Sequence, residues 1–287
     1  MKLKPKIKLT FAASLTVMIL VSCYFIPKID RIAWRATSLV EFKLLKALSR
    51  FYDIPVDNPN RFDNILASHR GVFSKIVTEN SEKSVIMSAK NGFRYIELDV
   101  SFSKDQVPII FHDRNLKSKT NFARLTSETY WKDIQKLTLP DNQKILSLKY
   151  LLSEYSNLFD GIILDIKGDD DHYYKKANSF CKVISESHVS EKIYVIGRSF
   201  LVLSTIKKVN PKLKVGCENQ GSLYNYFSGK DLISLHYGSQ FSNIEYVIAK
   251  KFGLDVIIWI INDQQELENL KNFKDMIVLT DLHFANL

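Results

Sequence analysis

Eight short apolar, β-rich runs recur along the chain from residue 65, with helix-patterned stretches between most of them. The runs are Ile65–Ser68, Tyr95–Val100, Gly161–Ile166, Ile193–Ile196, Leu213–Gly216, Leu232–Leu235, Val256–Ile261 and Met276–Leu279. The intervening stretches include Glu79–Asn91, Ser147–Asn157, His172–Ser187, Phe200–Val209, Asn243–Phe252 and Gln264–Asn272. Strands separated by helices pair in parallel, because a parallel neighbour needs a long crossover. Eight such strands fit a closed (β/α)8 barrel of the TIM type. A doubly wound open sheet is the alternative, but no Gly-rich phosphate loop follows the first strand.

One run breaks the alternation. Val107–Phe111 follows Val100 after Ser101–Gln106, a link too short for a helical crossover. An antiparallel return with its turn at Lys104-Asp105-Gln106 is the simpler geometry. It brings His112 back to the level of Glu97 and Asp99. Those two acids are i and i+2 on one strand, so they share a face.

In such a barrel the functional side chains sit at the C-terminal ends of the strands. His69-Arg70 ends the first run, Glu97 and Asp99 end the second, and Asp165 and Lys167 end the third large one. Three carboxylates at one mouth repel unless a cation neutralises them. Oxygen-only donors suit a hard divalent ion, Ca²⁺ or Mg²⁺, rather than zinc. Arg70 and Lys167 add positive charge of the kind that holds a phosphodiester. Two histidines, His69 and His112, in opposite protonation states supply a base and an acid.

The N-terminus reads as an address. Lys2, Lys4, Lys6 and Lys8 precede the uncharged stretch Leu9–Ile26, whose length is at the lower edge of a membrane span. Residues 1–30 are therefore predicted to be a signal anchor with the remainder outside the cytoplasm, as in a single-pass protein of a bacterial-type inner membrane. Two alternatives stand: a lipoprotein acylated at Cys23 in Leu20-Val21-Ser22-Cys23, or a cleaved secretory peptide. Residues 31–60 read as a basic amphipathic helix and linker, packed on the domain or lying on an anionic bilayer. Residues 61–287 form the predicted catalytic domain. The formal charge is +9, of which residues 1–60 carry +6 (ten Lys/Arg less four Asp/Glu), leaving +3 for the remainder. That balance argues against nucleic acid as a partner of the domain. The three cysteines give no metal spacing and no disulfide framework, and Cys181 and Cys217 read as buried thiols.

Taken together, His69-Arg70-Gly71, Glu79-Asn80-Ser81, Glu97-Leu98-Asp99-Val100, Lys104-Asp105 with Val107-Pro108, His112-Asp113, Ser199-Phe200, Trp259 with Asn262-Asp263, and Thr280-Asp281 resemble the glycerophosphodiester phosphodiesterase family. The resemblance spans about residues 65–285 in the family's order. It implies a metal-dependent barrel that cleaves glycerophosphodiesters, or phospholipid head groups, to glycerol 3-phosphate and an alcohol. It implies His69 and His112 as the acid/base pair, Glu97, Asp99 and Asp165 as ion ligands, and Arg70 and Lys167 as phosphate contacts. Asp165 departs from the family's usual Glu in Glu-x-Lys, and Asp165-Ile166-Lys167 is similar to the related sphingomyelinase D type phospholipases. Those enzymes, acting on lysophospholipids or sphingolipids, give the alternative activity. A non-catalytic barrel that binds phosphorylated ligands is the third.

Each site residue also has a plainer role open to it. Glu97 and Asp99 can pair with Arg70 and Lys167 for structure alone. Glu79 and Asn80 can cap the first helix, or support the site directly. Trp259 is core or a wall for the substrate. Glu218, Arg198 and His236 fall near strand ends, where a solvated or structural role is favoured. Asp169-Asp170-Asp171 reads as a solvated helix start.

Overall fold

A computed structural model describes residues 64–168, 171–218, 229–237 and 243–282. Its strands are β1 (Ile65–Ser68), β2 (Tyr95–Phe102), β3 (Pro108–Ile110), β4 (Gly161–Ile166), β5 (Ile193–Gly197), β6 (Lys214–Glu218), β7 (Leu232–His236), β8 (Asp255–Trp259) and β9 (Met276–Thr280). Helices α1 (Glu82–Lys90), α2 (Trp131–Ile134), α3 (Leu148–Tyr155), α4 (Tyr173–Ser187), α5 (Phe200–Val209), α6 (Asn243–Lys251) and α7 (Gln264–Asn269) lie between them. The sheet runs β1-β9-β8-β7-β6-β5-β4-β2 and closes through a β1–β2 pairing. All of these pairings are parallel. This is the expected eight-stranded barrel, and the open-sheet alternative falls with the closure.

Alternation along each strand divides inside from outside. On β2, Ile96, Leu98 and Val100 point outward into the layer shared with the helices, as do Ile162, Leu164 and Ile166 on β4. The opposite face carries Ala67, Ile163, Ile196, Leu232, Ile257, Ile277 and Leu279, which fill the barrel with Tyr95, Tyr194 and Trp259 against them. Each buried aliphatic side chain contributes on the order of 1.5–3 kcal/mol. Gly161 has a steric reason: a Cβ there would lie 2.1 Å from the Tyr95 ring. Asp99 is paired with Asp165 in the β2–β4 register, and Glu97 with Ile163. The same parity that buries Ile163 therefore puts Glu97, Asp99 and Asp165 on the inner face near the mouth.

The predicted return after β2 is present. β3 pairs antiparallel with β2, Val100 with Ile110 and Phe102 with Pro108. Gln106 takes a positive φ of 62° at the turn. The following excursion has its own small core of Ile109, Phe111, Leu116, Ile134, Leu139 and Ile145.

Several boundaries differ from the sequence reading. α1 begins at Glu82, not Glu79, because Ser81 and Ser84 form a reciprocal capping box; neither Glu79 nor Asn80 is the cap. β2 runs on to Phe102 because β3 pairs with its overhang. β6 is shifted to Lys214–Glu218, and β8 ends at Trp259 rather than Ile261. Cys181 and Cys217 are buried free thiols, as expected. The anchor, Cys23 and the amphipathic helix of residues 31–60 lie outside the described residues. Among the described residues, no helix is long and apolar enough to cross a membrane.

Candidate active site

The loop after β1 is sharply kinked. Arg70 and Gly71 both have positive φ, 57° and 74°. A Cβ on Gly71 would lie 2.6 Å from Ser84 Oγ and 2.9 Å from the Ser84 backbone, so glycine is needed twice over. The kink turns the Arg70 amide into the barrel mouth, where it donates to Glu97 Oε2 at 3.0 Å. His69 is held from both sides. Its backbone N–H donates to the Thr280 carbonyl at 3.0 Å, and its Nδ1 lies 2.8 Å from Asp281 Oδ1. Its Nε2 faces Glu97 Oε2 at 3.9 Å.

Glu97, Asp99 and Asp165 each offer an oxygen within 4.8 Å of the others. All three are buried. Lys167 lies 2.9 Å from Asp99 Oδ1 and also pairs with Asp165 Oδ2. Arg70 Nε lies 3.2 Å from Asp99 Oδ2, and Arg70 Nη1 lies 3.3 Å from Glu79 Oε1. Burial, then repulsion from Asp99 and Asp165, pushes the Glu97 carboxyl well above its ordinary range. Burial likewise raises Asp165 to about 7 against the pull of Lys167. Burial opposes the charge on Asp99 too, but Lys167, Arg70 and His112 outweigh it and hold that carboxyl low. Lys167 and Arg70 are desolvated as well, yet the surrounding acids hold both above their ordinary values.

The hairpin delivers His112 as the sequence predicts. The Phe111 amide donates to the Asp99 carbonyl at 3.0 Å, which fixes the next residue beside the acids. His112 Nδ1 lies 2.9 Å from Asp113 Oδ1. A shallow depression next to it is lined by Glu79, His112, Asp113 and Lys119 over Phe111 and Leu139.

The predicted residues thus converge on one mouth, with their partners now specified. Arg70 and Lys167 are ion-paired to the acids, the plainer of their two roles. Asn80 is buried against Asp99 rather than capping a helix. Trp259 ends β8 half-buried, with His236 edge-on at a centroid distance of 4.8 Å; its Nε1 is buried and has no hydrogen-bond partner among the described residues. Arg198 pairs with Glu218. Asp169 and Asp170 lie outside the described residues.

Two partners were not assigned roles by the sequence reading. Asp281 orients His69 and is itself locked by Asn262, which donates Nδ2 to Asp281 Oδ2 at 2.6 Å and accepts from its backbone N–H at 2.8 Å. Its position one residue beyond the last strand was the available signal. Lys119, 3.4 Å from Glu79, sits in an irregular turn with no periodicity to mark it.

The sequence matches the model of the glycerophosphoryl diester phosphodiesterase family over residues 69–281. The chain belongs to this family. The matched span opens on His69 and closes on Asp281, the two ends of the contact that orients the imidazole. Among curated relatives of this phosphodiesterase family, a probable glycerophosphodiester phosphodiesterase 2 of Mycobacterium tuberculosis is 35% identical over 103 residues, 36% of this chain and 38% of that one. The glycerophosphodiester phosphodiesterase 1 of Bos taurus is 30% identical over 42% of this chain and 38% of its own length. The chain therefore spans under two fifths of those two relatives. A glycerophosphodiester phosphodiesterase of Caldanaerobacter subterraneus is 24% identical over 72% of this chain and 89% of that one. Among solved structures, an Oleispira antarctica phosphodiesterase in complex with the product sn-glycerol-3-phosphate superposes with a TM-score of 0.68 at 21% identity, covering 78% of this chain and 95% of that one. A glycerophosphodiester phosphodiesterase of Parabacteroides distasonis gives 0.68 at 16%, covering 79% and 96%. These two likenesses are of fold.

The donor set of this family member fits a divalent ion. Among the described residues it consists of three carboxylates and no nitrogen or sulfur donor, with oxygens close enough together for one hard cation. Asp165 Oδ1 is buried without a hydrogen-bond partner among the described residues, a costly state that a cation would relieve.

Proposed function

We propose that this chain hydrolyses glycerophosphodiesters to sn-glycerol 3-phosphate and an alcohol. The observation that carries the reading is the convergence of Glu97, Asp99 and Asp165 within 4.8 Å beside a His69 whose Nδ1 is engaged by Asp281 at 2.8 Å. Membership of the family supports the reaction class. The product named for the Oleispira antarctica relative supports the substrate class.

Glu97, Asp99 and Asp165 would hold one divalent ion, Ca²⁺ or Mg²⁺. When bound, it supplies positive charge that offsets the charge developing on the phosphoryl oxygens. Arg70 and Lys167 add cationic contacts to the phosphodiester, and Trp259, half-buried at the end of β8, offers its indole as a wall for the substrate. Asp281 favours the His69 tautomer with the proton on Nδ1, which leaves Nε2 as a proton acceptor facing the acids. His69 is therefore the base. It takes the O–H proton of the nucleophile, either water or the substrate's own glycerol hydroxyl, as the new P–O bond forms. His112, held by Asp113, is the acid. It delivers its proton to the leaving oxygen as that P–O bond breaks; where the glycerol hydroxyl is the nucleophile this step leaves a cyclic phosphate, which water then opens with His112 as base and His69 as acid, so charge and protons balance and both routes end at glycerol 3-phosphate. Glu79 and Asn80 support the site by fixing Arg70 and Asp99.

The lysines and the apolar stretch of residues 1–26 support tethering of the barrel to a membrane, with the mouth outside the cytoplasm. Product analysis tests the function. The full chain, offered glycerophosphodiesters and intact phospholipids with Ca²⁺ or Mg²⁺, should release glycerol 3-phosphate. A lipid phosphate or a cyclic phosphate as the sole product would favour the sphingomyelinase D type reaction instead. No turnover of any diester would favour a binding role.

A further inference from the structure

Lys167 occupies the place where the acids would need a counter-charge. Its ammonium lies 2.9 Å from Asp99 Oδ1 and pairs with Asp165 Oδ2. Those two carboxylates belong to the trio whose donor oxygens fall within 4.8 Å of one another. A cation bridging the trio and an ammonium bridging two of its members compete for the same lone pairs and the same negative charge. Lys167 can leave. Its backbone is fixed by a hydrogen bond from its N–H to the Val100 carbonyl at 2.8 Å, but its side chain retains 22% of its exposure on a flexible four-carbon stem. Arg70 differs. Its backbone N–H and guanidinium are tied to Glu97, Glu79 and Asp99 together.

We propose that Lys167 is an exchangeable counter-ion: it closes the acid cluster when no divalent ion is there, is displaced when one binds, and then serves as an anion contact at the mouth. Divalent-cation binding and phosphate-ester binding are thereby coupled through one side chain. By linkage each raises the affinity for the other by the same factor. The proposal rests on the reading of Glu97, Asp99 and Asp165 as an ion site.

Calorimetric titration of the full chain separates the two claims. The probes are Mg²⁺ and Ca²⁺ in turn, sn-glycerol 3-phosphate alone, and sn-glycerol 3-phosphate at saturating ion. Lys167→Met should bind the divalent ion about 10-fold more tightly than wild type, because its competitor is gone, and should show a coupling to sn-glycerol 3-phosphate reduced by about 5-fold or more. Lys167→Gln serves as the second variant, with melting curves in the presence of ion to establish folding. Equal or weaker ion binding by both folded variants, with wild type binding normally, overturns the exchange while leaving the ion site standing. Binding by wild type that Asp99→Asn does not weaken, or no binding to any of the proteins, overturns the ion-site reading and the exchange with it.

Discussion

Asn80 and Asp99 are joined twice. Asn80 Nδ2 donates to Asp99 Oδ2 at 2.6 Å, and the Asp99 backbone N–H donates to Asn80 Oδ1 at 3.0 Å. The pair is buried and spans the loop after β1 and the end of β2. It fixes both the backbone and the carboxylate of a proposed ion ligand. Asn80 takes a positive φ of 55° to make the contact, a conformation asparagine tolerates better than most residues.

Asn80→Ala therefore strands a buried N–H and frees the Asp99 carboxylate to rotate. The expected cost is about 1–3 kcal/mol of stability, read as a lowered denaturation midpoint, together with weaker divalent-ion binding. Unchanged ion affinity in a folded Asn80→Ala protein would show that the double contact does not position Asp99.

His69→Ala and His112→Ala should each lower kcat by about 10²-fold or more, the scale of a lost general acid or base. Steady-state assays on a glycerophosphodiester check this. Near-normal turnover in either variant removes that residue from the proposed mechanism.

Asp281→Asn tests orientation. The substitution keeps the size of the side chain but replaces the acceptor for His69 Nδ1 with an ambiguous amide. In the proposed mechanism His69 acts on the reacting proton rather than on substrate affinity, so kcat should fall by at least about 10-fold with KM nearly constant. A rise in KM with kcat intact would assign Asp281 to substrate binding instead.

Burial raises the Asp165 carboxyl from 3.8 to about 7 in the ion-free protein. The folded state then holds this proton more tightly than the unfolded chain does, so the stabilisation is complete below pH 3.8 and is lost as the pH rises through about 7. Asp165→Asn cannot ionise. In chelator, the melting temperature of wild type relative to this variant should fall steadily from about pH 4 to about pH 7, and added divalent ion should reverse the loss at the upper end. A difference that is flat or rises with pH contradicts the assignment.

The barrel was legible because period-2 alternation on strands such as β2 and β4 reports inside and outside directly. The six-residue link Ser101–Gln106 made the β3 return legible, since a chain that short can only turn back. The acids were legible for the same reason as the barrel: Glu97 and Asp99 share the inward parity, and register pairs Asp99 with Asp165. Partner choice was not legible. Whether Lys167 meets a phosphate or Asp165, and whether Asn80 caps α1 or grips a residue 19 positions away, depends on tertiary distances that no local pattern carries. The start of α1 was misplaced because Ser81 and Ser84 form a box with serine where Glu or Gln is the usual signal. Asp281 stood in a matched segment without a role, because its partner His69 lies 212 residues earlier.

Phosphorus NMR of a glycerophosphodiester incubated with the full chain tests the central claim most directly. With Ca²⁺ or Mg²⁺ present, the diester resonance should be replaced by that of glycerol 3-phosphate. Chelator should stop the conversion, and excess ion should restore it. Conversion that continues unchanged in chelator, or a diester signal that persists with every divalent ion supplied, would contradict the account.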